Sequence, residues 1–210
     1  MRASRVALGG RSRSAALTLA ILIAAPGGAG ASAGPGQHPR AEVVLAGGCY
    51  WGVESVFDHV RGVISATSGY ATPAPSGGAH AAPDAEAVRL VYDPALLPYR
   101  EILRIFFTVA HDPTQLNRQG PDVGAEYRSV VFVRTARERA EVRSYIDSLS
   151  AAHSYPRPIV TEIAALGSFA AVPASQQHYA AKNPTDPYIV VNDEPKLAAL
   201  HRRFPALYHD

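Results

Sequence analysis

The chain has 210 residues with a formal net charge of +2, and 47% of its residues are hydrophobic. Four arginines lie among the first 13 residues, where no acidic residue occurs, leaving 16 of the 20 basic residues against all 18 acidic ones. The basic balance therefore belongs to the N-terminus. The remainder lacks the basic character of a nucleic-acid-binding protein, and we expect no nucleic-acid partner.

The N-terminus has the composition of a secretory signal peptide. Its arginines precede an apolar run at 15–25 (AALTLAILIAA), and two small-x-small cleavage patterns follow within residues 29–33. The run is too short to span a bilayer as a helix, so we expect no stable membrane insertion after cleavage. The pattern predicts a signal peptide at 1–33 and export to the periplasm or the exterior. An uncleaved N-terminal tail is the alternative.

The elements after a predicted linker at 34–40 follow from apolar periodicity and from glycine and proline positions. In chain order we predict a strand at 41–46, a helix at 49–60, strands at 64–70 and 86–92 around a loop at 71–83, a helix at 99–110, a loop at 111–124, a strand at 127–134, a helix near 136–150, a strand near 159–165 and an irregular tail with one helix near 195–203. This order predicts one α+β domain, a ferredoxin-like βαββαβ two-layer sandwich with a C-terminal extension. We expect a monomer.

The only cysteine, Cys49, follows Gly47 and Gly48 at the junction of the first strand and the first helix. Free N–H groups and the helix dipole favour an anion in the first turn of a helix. We therefore expect the pKa of the thiol to lie below its ordinary value of about 8.5. A lone cysteine is also often a small buried hydrophobic residue, so both interpretations stay open at this point.

Two further segments are rich in polar groups. Residues 84–86 (DAE) end a loop at the start of a strand, and residues 111–129 (HDPTQLNRQGPDVGAEYRS) deliver Asp122, Glu126, Tyr127 and Arg128 to the next strand. In a βαββαβ fold, the start of the first helix can face neighbouring strand ends. A thiol, a carboxyl group and a phenol could therefore converge there.

These segments resemble motifs of the peptide methionine sulfoxide reductase A family. Residues 48–52 (GCYWG) resemble its GCFWG, and residues 85–94 (AEAVRLVYDP) resemble its HAE-then-strand element. Residues 111–129 are similar to HDPTxxNxQGxDxGxxYRS. The likeness extends over residues 41–208 with the motifs in the right order, so residues 41–210 are identified as a methionine sulfoxide reductase A domain.

The resemblance implies an oxidoreductase that reduces methionine (S)-S-oxide, free or in proteins, to methionine. By likeness, Cys49 attacks the sulfoxide sulfur and becomes a sulfenic acid, the reversible first product of cysteine oxidation. Glu86 would be the proton donor, because burial raises the pKa of a carboxyl group and makes it a general acid near neutrality. Tyr127 would hydrogen-bond the sulfoxide oxygen.

The resemblance also implies that Tyr50 and Trp51 line the substrate pocket and that Asp122 orients the substrate. Simpler alternatives stay open for these side chains. Trp51 is a typical core anchor, and Asp122 could cap a loop. Glu86 could be a solvated residue at a strand edge, and Tyr127 a half-buried strand aromatic.

The sequence departs from the family pattern in several places. Tyr50 stands where phenylalanine is usual, and its hydroxyl could slow turnover or point to water. The loop at 71–83 is short and lacks the second tyrosine that often binds the sulfoxide oxygen. Residues 83–84 (Pro-Asp) replace Gly-His beside the proposed acid, where an inward aspartate would raise the pKa of that acid further. Residues 176–179 (QQHY) differ from the family's His-Gln-x-Tyr, so His178 receives no role.

Recycling is a further departure, because many relatives resolve the sulfenic acid with C-terminal cysteines and this chain has none. We expect no bound cofactor and an external thiol reductant, either a thioredoxin-like protein or a small thiol. The predicted partners are therefore oxidised methionine and this reductant.

Two other functions remain as alternatives. The first is a catalytically degenerate protein that binds oxidised methionine, which the altered residues 83–84 motivate. The second is a cysteine hydrolase with His111 or His178 as the base of Cys49. No HxxxH or Cys-rich spacing indicates a metal site, so we predict none.

Overall fold

The structure is a computed structural model that describes residues 40–75 and 83–210. The predicted signal peptide at 1–33, and the predicted linker at 34–40 apart from Arg40, lie outside the described residues. Among the described residues, no helix is long and apolar enough to cross a membrane.

Strands and helices alternate through the first half of the described chain and give way to helices at its end. The strands are β1 (Ala41–Gly47), β2 (Val63–Pro73), β3 (Ala85–Tyr92), β4 (Arg118–Gln119), β5 (Asp122–Val123), β6 (Ser129–Val133) and β7 (Glu162–Ala171). The α-helices are α1 (Tyr50–Asp58), α2 (Tyr99–Ile105), α3 (Ala136–Ala151), α4 (Tyr179–Lys182), α5 (Pro187–Asn192) and α6 (Glu194–Arg203). This content confirms the predicted α+β class.

The main sheet is a closed barrel in the order β1-β3-β2-β7-β6, in which β6 returns to β1. All neighbours are antiparallel except β6 and β7, which run parallel. The prediction of a ferredoxin-like two-layer sandwich did not include this closure of the sheet. The reason is that β7, predicted to end near residue 165, continues to Ala171 and pairs with the far edge of β2.

Alternate residues of β1 enter two different cores, as the two-residue period of a strand requires. Val43 and Leu45 pack with the helices, whereas Val44 and Ala46 pack with small side chains on the opposite face of the sheet. Both faces of β1 are thus buried. The strand ends at Gly47, and its position is fixed by packing on both sides before the chain turns into α1.

Three other predicted elements differ from the structure. The helix at 99–110 is α-helical only to Ile105 and ends in a π-helical turn, Phe106–Ala110. Tyr127 lies in a 3₁₀ turn, Ala125–Tyr127, before the strand instead of within it. The tail forms three helices instead of one. In α5, Asp186 caps the first turn and Pro187 fits its first position, a signal that the prediction overlooked.

Candidate active site

Cys49 is the N-cap residue of α1 and is partly exposed. It follows Gly48, whose positive φ of +92° favours glycine, and a Cβ at Gly48 would collide with the side chain of Gln119. Glycine is therefore needed at position 48 for two reasons: the backbone there is left-handed, and Gln119 approaches closely. The structure confirms the predicted turn between β1 and α1.

The predicted low pKa of the thiol is wrong. Burial and the nearby charge of Glu86 raise the pKa of Cys49 to about 12, and the charge of Asp193 adds to this effect. Hydrogen bonds from the Trp51 backbone N–H and the Tyr188 side chain act in the opposite direction but are smaller. The sequence indicated that Cys49 lies at a helix start, which favours the thiolate. It did not indicate that the thiol is buried, and the effect of burial on the pKa is the larger one. Cys49 is therefore a neutral thiol at neutral pH.

Glu86 lies on β3 with its carboxyl group at the start of α1. The Tyr50 backbone N–H, the first of the helix, donates to Glu86 Oε2 over 3.2 Å. Burial is the main cause that raises the pKa of Glu86 to about 6, and the charges of Asp122 and Glu126 raise it as well. Glu86 is 7% exposed, so it is not a solvated strand-edge residue. A carboxyl group with this pKa can exchange a proton near neutrality.

Two tyrosines surround this carboxyl group. The Tyr70 hydroxyl donates to Glu86 Oε1 over 3.5 Å. Tyr127 has its pKa raised to about 12, first by burial and then by the charges of Glu86, Asp122 and Cys49. Tyr70 lies in the second half of β2, immediately before the predicted loop at 71–83, whose first residues are in fact strand as far as Pro73. That loop lacks a tyrosine, but the site does not, because the preceding residue supplies the phenol.

Asp84 does not meet the condition under which it would raise the pKa of Glu86, because it does not point towards that carboxyl group. Asp84 Oδ1 accepts a hydrogen bond from the Thr72 hydroxyl over 2.7 Å, and the charges that act on Glu86 are those of Asp122 and Glu126. Asp84 precedes β3, and its partner Thr72 lies two residues along β2 from Tyr70, the partner of Glu86, so the two carboxyl groups are displaced along the strands. The altered residues 83–84, which motivated the alternative of a degenerate binding protein, therefore do not raise the pKa of Glu86.

Arg128 holds the segments of the site together, although the sequence indicated no role for it. Its buried guanidinium donates to the carbonyl oxygens of Pro83, Asp84 and Ala125. These bonds connect the start of β3, which carries Glu86, to the turn that carries Tyr127. The sequence showed that Arg128 lies near the start of a predicted strand. It did not show that its guanidinium would bond to these carbonyl oxygens.

Trp51 and Tyr50 form an aromatic cluster next to the thiol. The ring of Trp51 stacks on Tyr179, with centroids 3.9 Å apart and an interplanar angle of 11°. Trp51 also meets Tyr188 and Tyr50 edge-to-face, at 5.8 and 6.2 Å. Tyr50 is a buried residue, 8% exposed. Its ring meets Tyr70 edge-to-face at 6.0 Å.

Asp122 is connected to the C-terminal extension. Its Oδ2 accepts a hydrogen bond from the Tyr188 hydroxyl over 2.5 Å. Burial and the neighbouring Cys49 and Asp122 raise the pKa of Tyr188. Tyr188 therefore lies between Asp122 and the thiol, and Asp122 is more than a loop cap. Sequence reasoning overlooked Tyr188 because the tail was predicted to be irregular.

The two histidines proposed as a base for Cys49 have other partners. His111 Nδ1 lies 2.9 Å from the Phe106 carbonyl and Nε2 lies 2.7 Å from Ser129 Oγ, and burial lowers the pKa of His111 to about 4. His178 Nδ1 lies 2.7 Å from Asp58 Oδ2. Neither histidine is among the groups that shift the pKa of Cys49. The cysteine hydrolase has no support from this arrangement.

The fold and the site together define a class: an α+β protein with one thiol at a helix start, a carboxyl group of raised pKa and several phenols. The family model described as peptide methionine sulfoxide reductase matches residues 41–207. The chain belongs to this family and is an oxidoreductase.

Similar proteins agree with this assignment. The chain is 44% identical over 184 residues to peptide methionine sulfoxide reductase MsrA 2 of Mesorhizobium japonicum, covering 85% of this chain and 93% of that protein. It is 39% identical to a protein of the same name from Synechocystis, covering 80% of each.

Solved structures of similar proteins share the fold. Methionine sulfoxide reductase A of Corynebacterium diphtheriae has a TM-score of 0.57 at 31% identity, over 72% of this chain and 78% of that one. The reduced form of Mxr1 from Saccharomyces cerevisiae has a TM-score of 0.60 at 28% identity, over 70% of this chain and 87% of that one.

Proposed function

We propose that the protein reduces methionine (S)-S-oxide, free or in proteins, with Cys49 as the nucleophile and Glu86 as the proton donor. The observation that carries the proposal is a hydrogen bond to Glu86 from the backbone N–H of Tyr50, the residue after Cys49. The carboxyl group of Glu86 thus lies near the thiol at the start of α1, which supports its role as the proton donor. A sulfoxide held there would present its sulfur to Cys49 and its oxygen to Glu86.

The electrostatics of the pair suit a proton transfer coupled to nucleophilic attack. Around pH 7, the thiol of Cys49 is protonated and Glu86 is largely ionised, because their pKa values are raised to about 12 and about 6. The two groups then hold one proton between them. As the thiol attacks the sulfoxide sulfur, its proton can pass through Glu86 to the sulfoxide oxygen. A permanently ionised thiol is not required.

The step balances as an oxygen transfer. A bond forms between Cys49 Sγ and the sulfoxide sulfur, and the sulfoxide oxygen receives the proton of the thiol. The oxygen then moves to Cys49: an Sγ–O bond forms while the S–O bond of the substrate and the new Sγ–sulfur bond break. Cys49 is left as a sulfenic acid, and the substrate leaves as methionine. The thiol is oxidised by two electrons and the sulfoxide is reduced by two.

The phenols would stabilise the negative charge that develops on the sulfoxide oxygen. Tyr70 already donates to Glu86, and Tyr127 is electrostatically coupled to Glu86 and Cys49. Donors placed where charge develops contribute most to such a reaction. Trp51 and Tyr50 would contact the methyl group of the substrate, and Asp122, joined to Tyr188, would orient the rest of it.

An external thiol would complete the cycle, because the chain has one cysteine and cannot form an internal disulfide. The thiol displaces water from the sulfenic acid to form a mixed disulfide, and a second thiol releases Cys49. A thioredoxin-like protein or a small thiol would serve. We also propose export under a signal peptide at 1–33, a monomeric enzyme, and a ferredoxin-like relationship of the strands β1, β2, β3 and β6.

The test is a reductase assay on each epimer of a methionine sulfoxide peptide, with dithiothreitol as the reductant. The native chain should reduce the S epimer and leave the R epimer unchanged. Cys49→Ser should have no activity while keeping the circular dichroism spectrum of the native chain. Equal reduction of both epimers, or activity in Cys49→Ser, would contradict the proposal. Binding of the sulfoxide without reduction would favour the degenerate binding protein.

A further inference from the structure

A second cluster of charged side chains lies on α1, away from the residues assigned to the reaction. Glu54 and Asp58 are four residues apart and share one face of the helix, and His178 approaches them from the residue before α4. One oxygen of each carboxylate and one imidazole nitrogen lie within 4.8 Å of one another. The sequence did not indicate this cluster, because His178 is 120 residues from Asp58.

Glu54 is the unusual member of the cluster, since its side chain is only 1% exposed. Its Oε2 accepts a hydrogen bond from the His178 backbone N–H over 2.7 Å. Among the residues that the structure describes, its Oε1 has no hydrogen-bond partner, and it lies 3.9 Å from His178 Nδ1. Burial raises the pKa of Glu54, and the Ser68 hydroxyl is a minor group that opposes this shift; Ser68 Oγ also has no hydrogen-bond partner within residues 40–75 and 83–210. A buried carboxylate oxygen in this situation calls for a cation.

We propose that Glu54, Asp58 and His178 form a binding site for one divalent transition-metal ion such as Zn²⁺. Imidazole nitrogen and carboxylate oxygen are ordinary zinc ligands, and three protein ligands leave a fourth position for water. Zinc bonds of about 2.0–2.2 Å in a tetrahedron place ligand atoms roughly 3.4 Å apart. The observed separations of 2.7 Å from His178 Nδ1 to Asp58 Oδ2 and 3.9 Å to Glu54 Oε1 lie on either side of that value.

The burial of the three ligands suits a metal that arrives from solvent. The side chain of Glu54 is 1% exposed, that of Asp58 is 23% exposed and that of His178 is 49% exposed. The exposed histidine therefore provides the entry side, and the buried glutamate provides the inner ligand. The metal would replace the proton that His178 Nδ1 now shares with Asp58.

A metal at this position would fasten α4 to α1. His178 directly precedes Tyr179, whose ring stacks on Trp51. Helix α4 has only four residues, Tyr179–Lys182, so few bonds of its own hold it in place. The site would therefore stabilise the packing of the C-terminal extension next to the thiol, without taking part in the chemistry.

The experiment is a calorimetric titration of ZnCl₂ into the Cys49→Ser chain after treatment with a chelator. This background removes the thiol, which is itself a zinc ligand, and makes the result independent of the proposed reductase activity. We expect one zinc ion per chain. His178→Ala and Asp58→Asn should each weaken the affinity at least about tenfold, since even indirect partners of a zinc site have effects of that size. Zinc should also raise the Tm of the parent more than that of either variant.

His153→Ala is the matched control. His153 is exposed like His178, and both have a left-handed backbone, with φ of 48° and 52°. The control should bind zinc with the affinity of the parent chain. Absence of saturable zinc binding, or equal affinities in the parent, His178→Ala and Asp58→Asn, would overturn the proposal.

Discussion

Tyr70 and Glu86 are direct partners across β2 and β3, and the Tyr70 hydroxyl donates to Glu86 Oε1 over 3.5 Å. The register of the two strands therefore decides which phenol reaches the acid. A shift of one residue would turn Tyr70 to the opposite face of the sheet. The barrel, which pairs β2 with β7 on its other edge, holds this register in place.

Replacement of Tyr70 by phenylalanine should slow the reaction while preserving the fold. The variant loses the donor to Glu86 and a donor for the developing charge on the sulfoxide oxygen. We expect kcat to fall by about tenfold to a hundredfold, below the effect of losing a principal oxyanion donor. The measurement is steady-state kinetics with a sulfoxide peptide and dithiothreitol.

Tyr99→Phe is the control for that experiment. The Tyr99 hydroxyl is buried in the part of the chain that the structure describes and has no hydrogen-bond partner there. Its loss should leave kcat unchanged. A Tyr70→Phe variant with the kcat of the native chain would show that the hydrogen bond to Glu86 has no part in catalysis.

Glu86→Gln should inactivate the enzyme and stabilise the fold at alkaline pH. Burial raises the pKa of Glu86 from 4.5 to about 6, so the ionised carboxylate destabilises the native state above pH 6. This difference in pKa corresponds to a destabilisation of about 2 kcal/mol. The destabilisation is absent below pH 4.5 and fully present above pH 6. Urea unfolding at several pH values should show the variant gaining this free energy of unfolding relative to the native chain. An equal difference at every pH would contradict the raised pKa.

The thiol of Cys49 should titrate well above neutrality. Its pKa is raised to about 12 by burial and, secondly, by the charge of Glu86. Thiolate absorbance in the ultraviolet should therefore appear only at alkaline pH. In Glu86→Gln the pKa should decrease, because the neighbouring charge is gone, but stay above the ordinary value because burial remains. A thiolate already present at pH 7 in the native chain would contradict this description.

Gly52→Ala should destabilise the protein. A Cβ at Gly52 would collide with Asp193 and Lys196 of the C-terminal extension, which form a 3.1 Å ion pair against α1. Asp193 is 1% exposed. The Asp193–Lys196 pair cannot move away from α1 unless Asp193 becomes exposed or loses its ion-pair partner. Such overpacking reduces the free energy of unfolding by about 1–3 kcal/mol. Thermal unfolding would measure the effect, with Ser55→Ala on the same helix as the control; equal Tm values would refute it.

Local patterns in the sequence predicted the α+β class and the position of Cys49, because glycine placement and apolar periodicity are local signals. The closure of the sheet was not predicted, because it depends on pairing between β7 and β2, which lie about 100 residues apart in the chain. The same limit applies to Tyr70 and Tyr188. Each is an ordinary strand or tail aromatic until tertiary packing places it beside Glu86 or Asp122.

The pKa of Cys49 illustrates a different limit. The sequence correctly indicated a helix start, which favours an anion, but burial and the charge of Glu86 have the larger, opposite effect. Burial is a property of the folded surroundings and leaves no local sequence signal. The motif residues at 111–129 did indicate which side chains would converge, because their likeness to the family covers a continuous segment.

A single-turnover experiment tests the central claim most directly. The reduced chain, freed of all thiols, is mixed with excess methionine (S)-S-oxide, and both methionine and the state of Cys49 are measured. We predict one methionine per chain, followed by arrest, with a dimedone adduct on Cys49 that reports its sulfenic acid. Continued turnover without a thiol, or methionine formed with Cys49 still reduced, would contradict the account.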